Sequence, residues 1–376
     1  MADIHGQCDE RFGAVRDAFA ANLDKGADVG ASVAVVHEGR KVVDIWGGTI
    51  DDDGTPWAED TIINVWSTTK TMTALCALIL ADRGDLDLHA PVARYWPEFA
   101  AEGKEPVEVR HLLGHTAGLS GWQEPMEIPD LYDWEKATAR LAAQAPWWEP
   151  GTASGYHAVT QGYLVGEVIR RVCGKTVGTF FAEEVAGPLG ADFHIGTGPE
   201  HDHRVARVIP PPLPITDGLD PESVVARTFT NPTMKAEVSW DEAWRRAEIP
   251  AAGGHGNARS VARVQSVLSH GGEVGGIRLL SEAGCNAVFE EQAKGTDLVL
   301  GVPLCLGMGY GINSPELPIS PNPRACFWGG WGGSIVVNDL DAKLTVAYVM
   351  NRMGEGTTGD DRGIGIVLAA YMALMA

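Results

Sequence analysis

Long apolar runs are missing from this sequence: no stretch of about eighteen apolar residues occurs, which excludes a membrane-spanning helix. Residues 1–5 lack the basic start and apolar stretch of a signal peptide, so we expect a cytoplasmic protein. Basic residues are also few, with 29 Lys and Arg against 50 Asp and Glu and a net charge of −21. Because nucleic acids and anionic membranes select basic surfaces, neither is expected as a partner.

Cysteine pairs and zinc-binding spacings are absent as well. The six cysteines are scattered and form no C-x-x-C, which predicts free thiols in a reducing compartment. The histidines form no H-E-x-x-H. The segment 201–203 (His-Asp-His) is typical of a solvated loop. We therefore expect no metal and no cofactor.

The composition is that of a folded globular protein. The 376 residues are 45% hydrophobic and 21% charged, enough for one large or two ordinary domains. β-rich runs around short turns predict hairpins at 31–46 and 334–350, with helices at 10–23 and 363–375 at the two ends. Between them the pattern is mostly helical. We expect residues 1–85 and 250–376 to form one α/β lobe, and residues 86–249 to form a mostly helical second lobe.

Ser67 and Lys70 form the most informative motif, S-x-x-K, at the start of a predicted helix. Residues three apart share one face of a helix, and an amine there can take the proton of a serine hydroxyl if burial or another cation lowers its pKa. S-x-x-K also occurs by chance about once in a chain of this length. The alternative is an ordinary helix start with Ser67 as its N-cap and Lys70 exposed.

Tyr156 is the candidate for a second proton carrier. It lies in a Pro- and Gly-containing loop, residues 149–158, just before a predicted helix. A nearby Lys70 ammonium would lower the pKa of the phenol. The alternative is a tyrosine that only anchors the loop on the helix behind it.

The segment 327–334 holds four glycines in five positions and leads into a predicted strand. Glycines allow a backbone to approach a substrate closely. An oxyanion could therefore bind to the amide of Ser67, at a helix N-terminus, and to a second amide from this segment. The alternative is a β-bulge or tight bend without a ligand.

Taken together, these three segments resemble the serine β-lactamase and penicillin-binding-protein superfamily, and are most similar to class C β-lactamases and family VIII carboxylesterases. Residues 109–119 resemble the H-L-L-x-H-T-S-G-L stretch of these proteins, and residues 251–260 their Gly-rich turn into a helix. The resemblance covers residues 30–350. It implies an α+β fold, in which an antiparallel sheet flanked by helices joins a mostly helical lobe and the active site lies between them.

The resemblance also implies roles for individual residues. Ser67 would be the acylated nucleophile, Lys70 would share its proton, Tyr156 would be the tyrosine of the second motif, and Trp331 would supply the second oxyanion amide. The family pattern after that tyrosine is Tyr-x-Asn, but Ala158 stands at the Asn position here.

The third motif, Lys-Thr-Gly or His-x-Gly in lactamases and peptidases, is Trp328-Gly329-Gly330 here. The cation of the family's third motif, which suits a substrate carboxylate, is therefore absent. The amide of the family's Asn, which suits an acyl amide, is absent too. Both absences favour neutral esters as substrates. We expect Trp328, Gly329, Gly330 and Trp122 to bind the substrate.

The predicted function is a carboxylesterase acting on small esters with short, neutral acyl groups. Three alternatives remain open: a β-lactamase or D-stereospecific amidase, an acyltransferase, and a non-catalytic penicillin-binding module that stays acylated. No G-x-S-x-G is present, so an α/β-hydrolase is excluded.

Overall fold

A nine-stranded antiparallel sheet forms the centre of the computed structural model, which describes residues 2–51, 53–212 and 218–375. In spatial order the strands are Ile4–Cys8, Arg40–Gly48, Gly30–His37, Leu344–Met350, Ile335–Asp339, Ala325–Gly329, Gly311–Ile312, Pro303–Leu306 and Ala293–Thr296. The sheet therefore joins the first and last parts of the chain, as predicted.

The middle of the sheet pairs distant segments. Leu344–Met350 runs antiparallel to Gly30–His37, with Leu344 opposite His37 and Met350 opposite Ala31. Every residue of Leu344–Met350 is buried. A strand with both faces covered is uniformly apolar or β-branched rather than alternating, and the sequence of this strand follows that rule.

Helices cover this sheet. Ala258–Ser269 packs on the three strands Gly30–His37, Ile335–Asp339 and Leu344–Met350. The helices Gly13–Asp24 and Asp361–Met375 pack against each other and also contact the sheet. The two helices predicted at the ends of the chain therefore lie against the sheet.

The helix Thr69–Asp82 is buried from Thr69 to Leu80, on all its sides. It packs against Thr160–Cys173, Val177–Phe181, Ala258–Ser269 and Glu282–Asn286. A helix surrounded in this way is expected to be apolar, and from Ala74 to Leu80 it is. Its N-terminal turn differs, because it buries Thr69, Lys70 and Thr71.

The remaining elements are short. The other helices are Val109–Leu113, Trp134–Ala143, Gly187–Leu189, Val224–Phe229 and Glu242–Arg246. Short 3-10 or π turns span Glu10–Phe12, Trp66–Thr68, Val92–Arg94, Pro97–Gly103, Ile128–Tyr132, Ala182–Ala186, Pro199–Arg204, Ala236–Trp240 and Ala287–Phe289. A small three-stranded sheet contains Ile63–Asn64, Gly254–Gly256 and Phe193–Ile195. A two-stranded sheet pairs Glu273–Val274 with Ile277–Arg278.

The predicted α+β class is confirmed, whereas the division into lobes at residues 85 and 250 stays a prediction. None of the helices in the described ranges combines the length and apolar content needed to cross a bilayer.

Candidate active site

Ser67 lies in the single 3-10 turn Trp66–Thr68 that leads into the Thr69–Asp82 helix. Trp66 has a φ of 49°, in the left-handed region that bulky residues rarely adopt. The Thr69 hydroxyl donates to the Trp66 carbonyl at 2.6 Å and accepts from the Gly254 amide at 2.9 Å. This arrangement holds the turn, and Ser67 with it, against the Gly-rich segment 251–257.

Lys70 is enclosed by protein, with only 1% of its surface exposed. Its Nζ lies 3.0 Å from Ser67 Oγ, 2.6 Å from the Ala158 carbonyl oxygen and 3.0 Å from the Ala251 carbonyl oxygen. Burial lowers the pKa of the Lys70 amine well below its usual range, because the charged form loses its hydration. The exposed lysine of the alternative prediction is excluded.

These three contacts of Lys70 determine how a neutral amine must be oriented. A neutral amine has two N–H groups and one lone pair, and the carbonyls of Ala158 and Ala251 can only accept hydrogen bonds. Both N–H groups therefore donate to these carbonyls. The lone pair then faces Ser67 Oγ and accepts the hydroxyl proton, as a general base requires.

Tyr156 completes the arrangement from the other side of Ser67. Its hydroxyl donates to Ser67 Oγ at 2.5 Å, and its backbone amide donates to the buried Asp297 carboxylate at 3.0 Å. We expected a lowered pKa for this phenol, and that expectation is wrong. Burial raises the pKa of Tyr156 and the Asp297 charge adds to the effect, while the hydrogen bond between Tyr156 and Ser67 opposes it more weakly.

The Gly-rich segment lies directly against Ser67. A Cβ on Gly330 would be 2.3 Å from the Val65 carbonyl oxygen, 2.4 Å from Ser334 Oγ and 3.3 Å from the Ser67 amide nitrogen. Only glycine fits at this distance. The backbone amides of Ser67 and of Trp331, which follows Gly330, donate to no acceptor among the described residues, so both are available to an incoming oxygen.

Trp328 lies behind Tyr156 rather than on the pocket surface. Its ring stacks on His115 with centroids 5.6 Å apart, and lies 5.5 Å from the Tyr156 ring. His157 packs against His115 as well. Burial lowers the pKa of His157 to about 3 and that of His115 well below its usual range, so neither adds a positive charge near Lys70.

Ser67 opens into an apolar pocket of about 630 Å³, a volume that includes some space open to solvent. Trp122 and Trp331 line it, whereas Trp328, Gly329 and Gly330 do not, and the predicted binding of substrate by Trp122 stays a prediction. A direct contact of Trp328, Gly329 and Gly330 with substrate also stays a prediction. The other lining residues are Trp66, Ser120, Tyr156, Ala158, Val159, Thr228, Phe229, Asn231, Pro232, Met234, Ala252 and Thr357. No charged side chain of the described residues is among them.

Several site residues were missed by the sequence analysis. The carbonyls of Ala158 and Ala251 accept hydrogen bonds from Lys70. Because every residue has a backbone carbonyl, the residue type does not indicate this role. Their only sequence signal is that both lie in segments adjoining recognised motifs. The wall formed by residues 228–234 carries no motif at all. Among the described residues, no group of three or more His, Cys, Asp or Glu side chains is arranged to hold a metal ion.

Comparison with known proteins gives matches over nearly the whole chain. The model of the beta-lactamase family matches residues 15–371. The chain is 36% identical to Esterase/beta-lactamase LipL of Mycobacterium tuberculosis, over 93% of this chain and 83% of that protein. The crystal structure of a family VIII carboxylesterase is 44% identical with a TM-score of 0.93, covering 99% of this chain and 100% of the other. A penicillin-binding protein homologue from Caulobacter crescentus is 40% identical, with the same TM-score and coverage.

Proposed function

The chain belongs to the beta-lactamase family, and we propose that within it the protein is a serine hydrolase that cleaves carboxylic esters through an acyl-serine intermediate. One observation carries the proposal. Ser67 Oγ lies between the Lys70 amine at 3.0 Å and the Tyr156 hydroxyl at 2.5 Å, beside two free backbone amides. Relatives named as esterase and carboxylesterase support it.

In the acylation step, the neutral Lys70 amine takes the proton of Ser67 while Oγ attacks the ester carbonyl. The developing oxyanion binds to the amides of Ser67 and Trp331. When the tetrahedral intermediate collapses, Tyr156 gives its proton to the departing alkoxide. Lys70 is then an ammonium and Tyr156 a phenolate.

In the deacylation step, the Tyr156 phenolate takes a proton from water, and the resulting hydroxide attacks the acyl carbonyl. The second tetrahedral intermediate expels Ser67 Oγ, which recovers its proton from Lys70. The acid leaves, and all three groups return to their starting protonation states.

We propose neutral esters over β-lactams because, among the described residues, no cationic side chain lines the pocket where it could bind a substrate carboxylate. Trp328-Gly329-Gly330 provides neither Lys nor His, and Ala158 lacks the amide of the family's Asn. The pocket wall is apolar, with no charged side chain from the described residues. A charge-assisted hydrogen bond is worth about 1.5–3 kcal/mol, so its absence disfavours acidic substrates.

We also propose that the protein works in the cytoplasm on small esters. All six cysteines are free thiols, which fits a reducing compartment. None of the cysteines lines the pocket. Oxidation of these thiols is therefore not part of the proposed reaction.

The test is hydrolysis of p-nitrophenyl acetate, p-nitrophenyl butyrate and nitrocefin by wild type and Ser67→Ala. We expect Ser67→Ala to lose about 10⁴-fold or more in kcat. Ser266→Ala is the matched control, since Ser266 is buried in the Ala258–Ser269 helix and bonds to the Arg263 carbonyl. Full turnover by Ser67→Ala would refute the mechanism.

The same experiment separates the alternatives. Faster hydrolysis of nitrocefin than of the esters would replace the esterase by a β-lactamase. A long-lived acyl adduct on Ser67 without multiple turnover, detected by mass spectrometry, would identify a binding module instead. Ester exchange in the presence of added alcohol would identify an acyltransferase.

A further inference from the structure

The hydroxyl groups of Ser120 and Thr228 on the pocket wall form hydrogen bonds whose donors can be assigned. Thr228 Oγ1 lies 2.7 Å from the Val224 carbonyl oxygen and 2.8 Å from Ser120 Oγ. The carbonyl can only accept, so the single hydroxyl proton of Thr228 goes to Val224. The bond between the two hydroxyls is therefore donated by Ser120, and Ser120 has no proton left for a ligand.

Asn231 and Trp122, which also line the pocket, have used their side-chain donors as well. The two N–H groups of Asn231 donate to the carbonyls of Trp122 and Glu124, at 2.7 and 2.8 Å. The indole N–H of Trp122 donates to the Ala137 carbonyl at 2.9 Å. We call the side chains of Ser120, Trp122, Thr228 and Asn231 the donor-free wall, and all four line the pocket.

Two oxygen atoms of the donor-free wall can still accept hydrogen bonds. Ser120 Oγ accepts no hydrogen bond from the described residues, and Asn231 Oδ1 accepts one, from the Met126 amide at 2.6 Å. Each oxygen can accept at least one more hydrogen bond. Ser120 is 1% exposed and Asn231 is partly buried, so a ligand that leaves these oxygens unpaired gains nothing from their polarity.

We propose that the donor-free wall is a specificity site for esters whose pocket-bound part carries a hydrogen-bond donor, such as a hydroxyl or an amide N–H. This proposal rests on the ester hydrolysis proposed above. A substrate hydroxyl donates to Ser120 Oγ. A substrate ether or ketone oxygen at the same place faces only lone pairs, and loses its hydration without compensation.

The experiment compares matched pairs of esters that differ only in hydroxyl against methoxy. They are methyl 2-hydroxybutyrate and methyl 2-methoxybutyrate, methyl 3-hydroxybutyrate and methyl 3-methoxybutyrate, and 2-hydroxyethyl and 2-methoxyethyl butyrate. Acid release is followed by pH-stat titration. The readout is the ratio of kcat/KM for the hydroxy ester to kcat/KM for the methoxy ester, which cancels a general loss of activity in a variant.

Two variants change the wall in defined ways. Ser120→Ala removes the acceptor, so we expect the ratio to fall by about two- to tenfold for at least one pair. Thr228→Val removes the hydroxyl that accepts the proton of Ser120. Because Ser120 can then turn its proton to the substrate, we expect the ratio to fall further than in Ser120→Ala, in favour of the methoxy ester.

Two further variants serve as controls. Thr228→Ser keeps the hydroxyl, and we expect it to keep the wild-type ratio even if the fold is somewhat less stable. Thr138→Val removes another buried threonine hydroxyl that donates to a carbonyl four residues earlier, that of Trp134 at 2.8 Å. Thr138 does not line this pocket, so we expect an unchanged ratio.

The outcomes are distinguishable. Ratios that stay the same in Ser120→Ala for every pair, or that rise in Thr228→Val, overturn the specificity site while ester hydrolysis stands. Failure of wild type to hydrolyse any of the esters overturns the proposed function itself. A fall in the ratio in both variants, with Thr228→Ser unchanged, supports the donor-free wall.

Discussion

Lys70 Nζ lies 3.0 Å from Ser67 Oγ, and Lys70 forms no salt bridge with any described carboxylate. Two backbone carbonyls occupy its other positions. The pKa of the Lys70 amine is therefore controlled by its removal from water and not by a neighbouring carboxylate. An amine in this environment is neutral at a lower pH than a lysine in water, and this makes it available to receive a proton.

The activity should depend on pH through Lys70. We expect kcat/KM for p-nitrophenyl butyrate to rise as the pH rises through the lowered pKa of this amine, because only the neutral form accepts the Ser67 proton. Lys70→Arg should lose about 10³-fold or more, because a guanidinium does not lose its proton in this range. The measurement is a pH profile of both proteins.

A matched control exists for the arginine substitution. Lys104 is also buried and donates to the backbone carbonyls of Ala101, Ala142 and Gln144, but it does not line the pocket. Lys104→Arg should keep the wild-type pH profile. Comparable losses in Lys104→Arg and Lys70→Arg would contradict a specific role for Lys70.

The free energy of unfolding should also depend on pH through Lys70. The amine pKa is lowered in the folded chain and is about 10.4 in the unfolded chain. Between these values the unfolded state binds a proton that the native state lacks, so the free energy of unfolding rises with pH. We expect wild type to gain stability relative to Lys70→Met as the pH rises from the lowered pKa towards about 10, by at most about 1.4 kcal/mol per pH unit. Urea denaturation at several pH values measures this difference, and a constant difference would argue against the lowered pKa.

Tyr156→Phe should slow the hydrolysis of esters with poor leaving groups more than that of esters with good leaving groups. A phenol that donates its proton to the departing alkoxide matters most when the alcohol is a poor leaving group. We therefore expect a loss of about 10²–10⁴-fold for methyl butyrate and a smaller loss for p-nitrophenyl butyrate. Tyr371→Phe is the control, since that hydroxyl donates to Asp339 at 2.8 Å and does not line the pocket. Equal losses on both esters would assign Tyr156 a structural role.

Gly330→Ala should disrupt the oxyanion site. The added Cβ would lie 2.3 Å from the Val65 carbonyl oxygen, so the backbone around Trp331 must move away from Ser67. We expect kcat to fall by about 10²–10³-fold, comparable to the loss of one oxyanion donor. Gly365→Ala is the matched control: it lies in the Asp361–Met375 helix with nothing within 4 Å of the new Cβ. Unchanged kcat in Gly330→Ala would exclude close approach of this backbone as a requirement.

The sequence predicted the elements whose signal is local. The S-x-x-K spacing leads to the contact between Ser67 and Lys70, and the apolar runs lead to the paired strands Gly30–His37 and Leu344–Met350. The edge strands Ile4–Cys8 and Ala293–Thr296 were not predicted, because their mostly exposed, polar residues show no strand pattern.

Electrostatics was the least predictable part of the site. We expected an ammonium to lower the pKa of Tyr156, but burial dominates and raises it. The depth at which a side chain is buried depends on elements far away in the chain. Asp297 is an example, since this carboxylate contacts the amide of Tyr156 across 141 residues of sequence. No local pattern indicates such a contact.

The pairing of Gly30–His37 with Leu344–Met350 has a consequence for the order of folding. The nucleophile turn follows the first of these strands, and the oxyanion segment precedes the second, so neither half of the chain contains a complete site. Contacts between such distant segments form slowly, because a large loop must close first. Recovery of catalysis after dilution from denaturant would therefore follow the last step of refolding, later than recovery of helical circular dichroism.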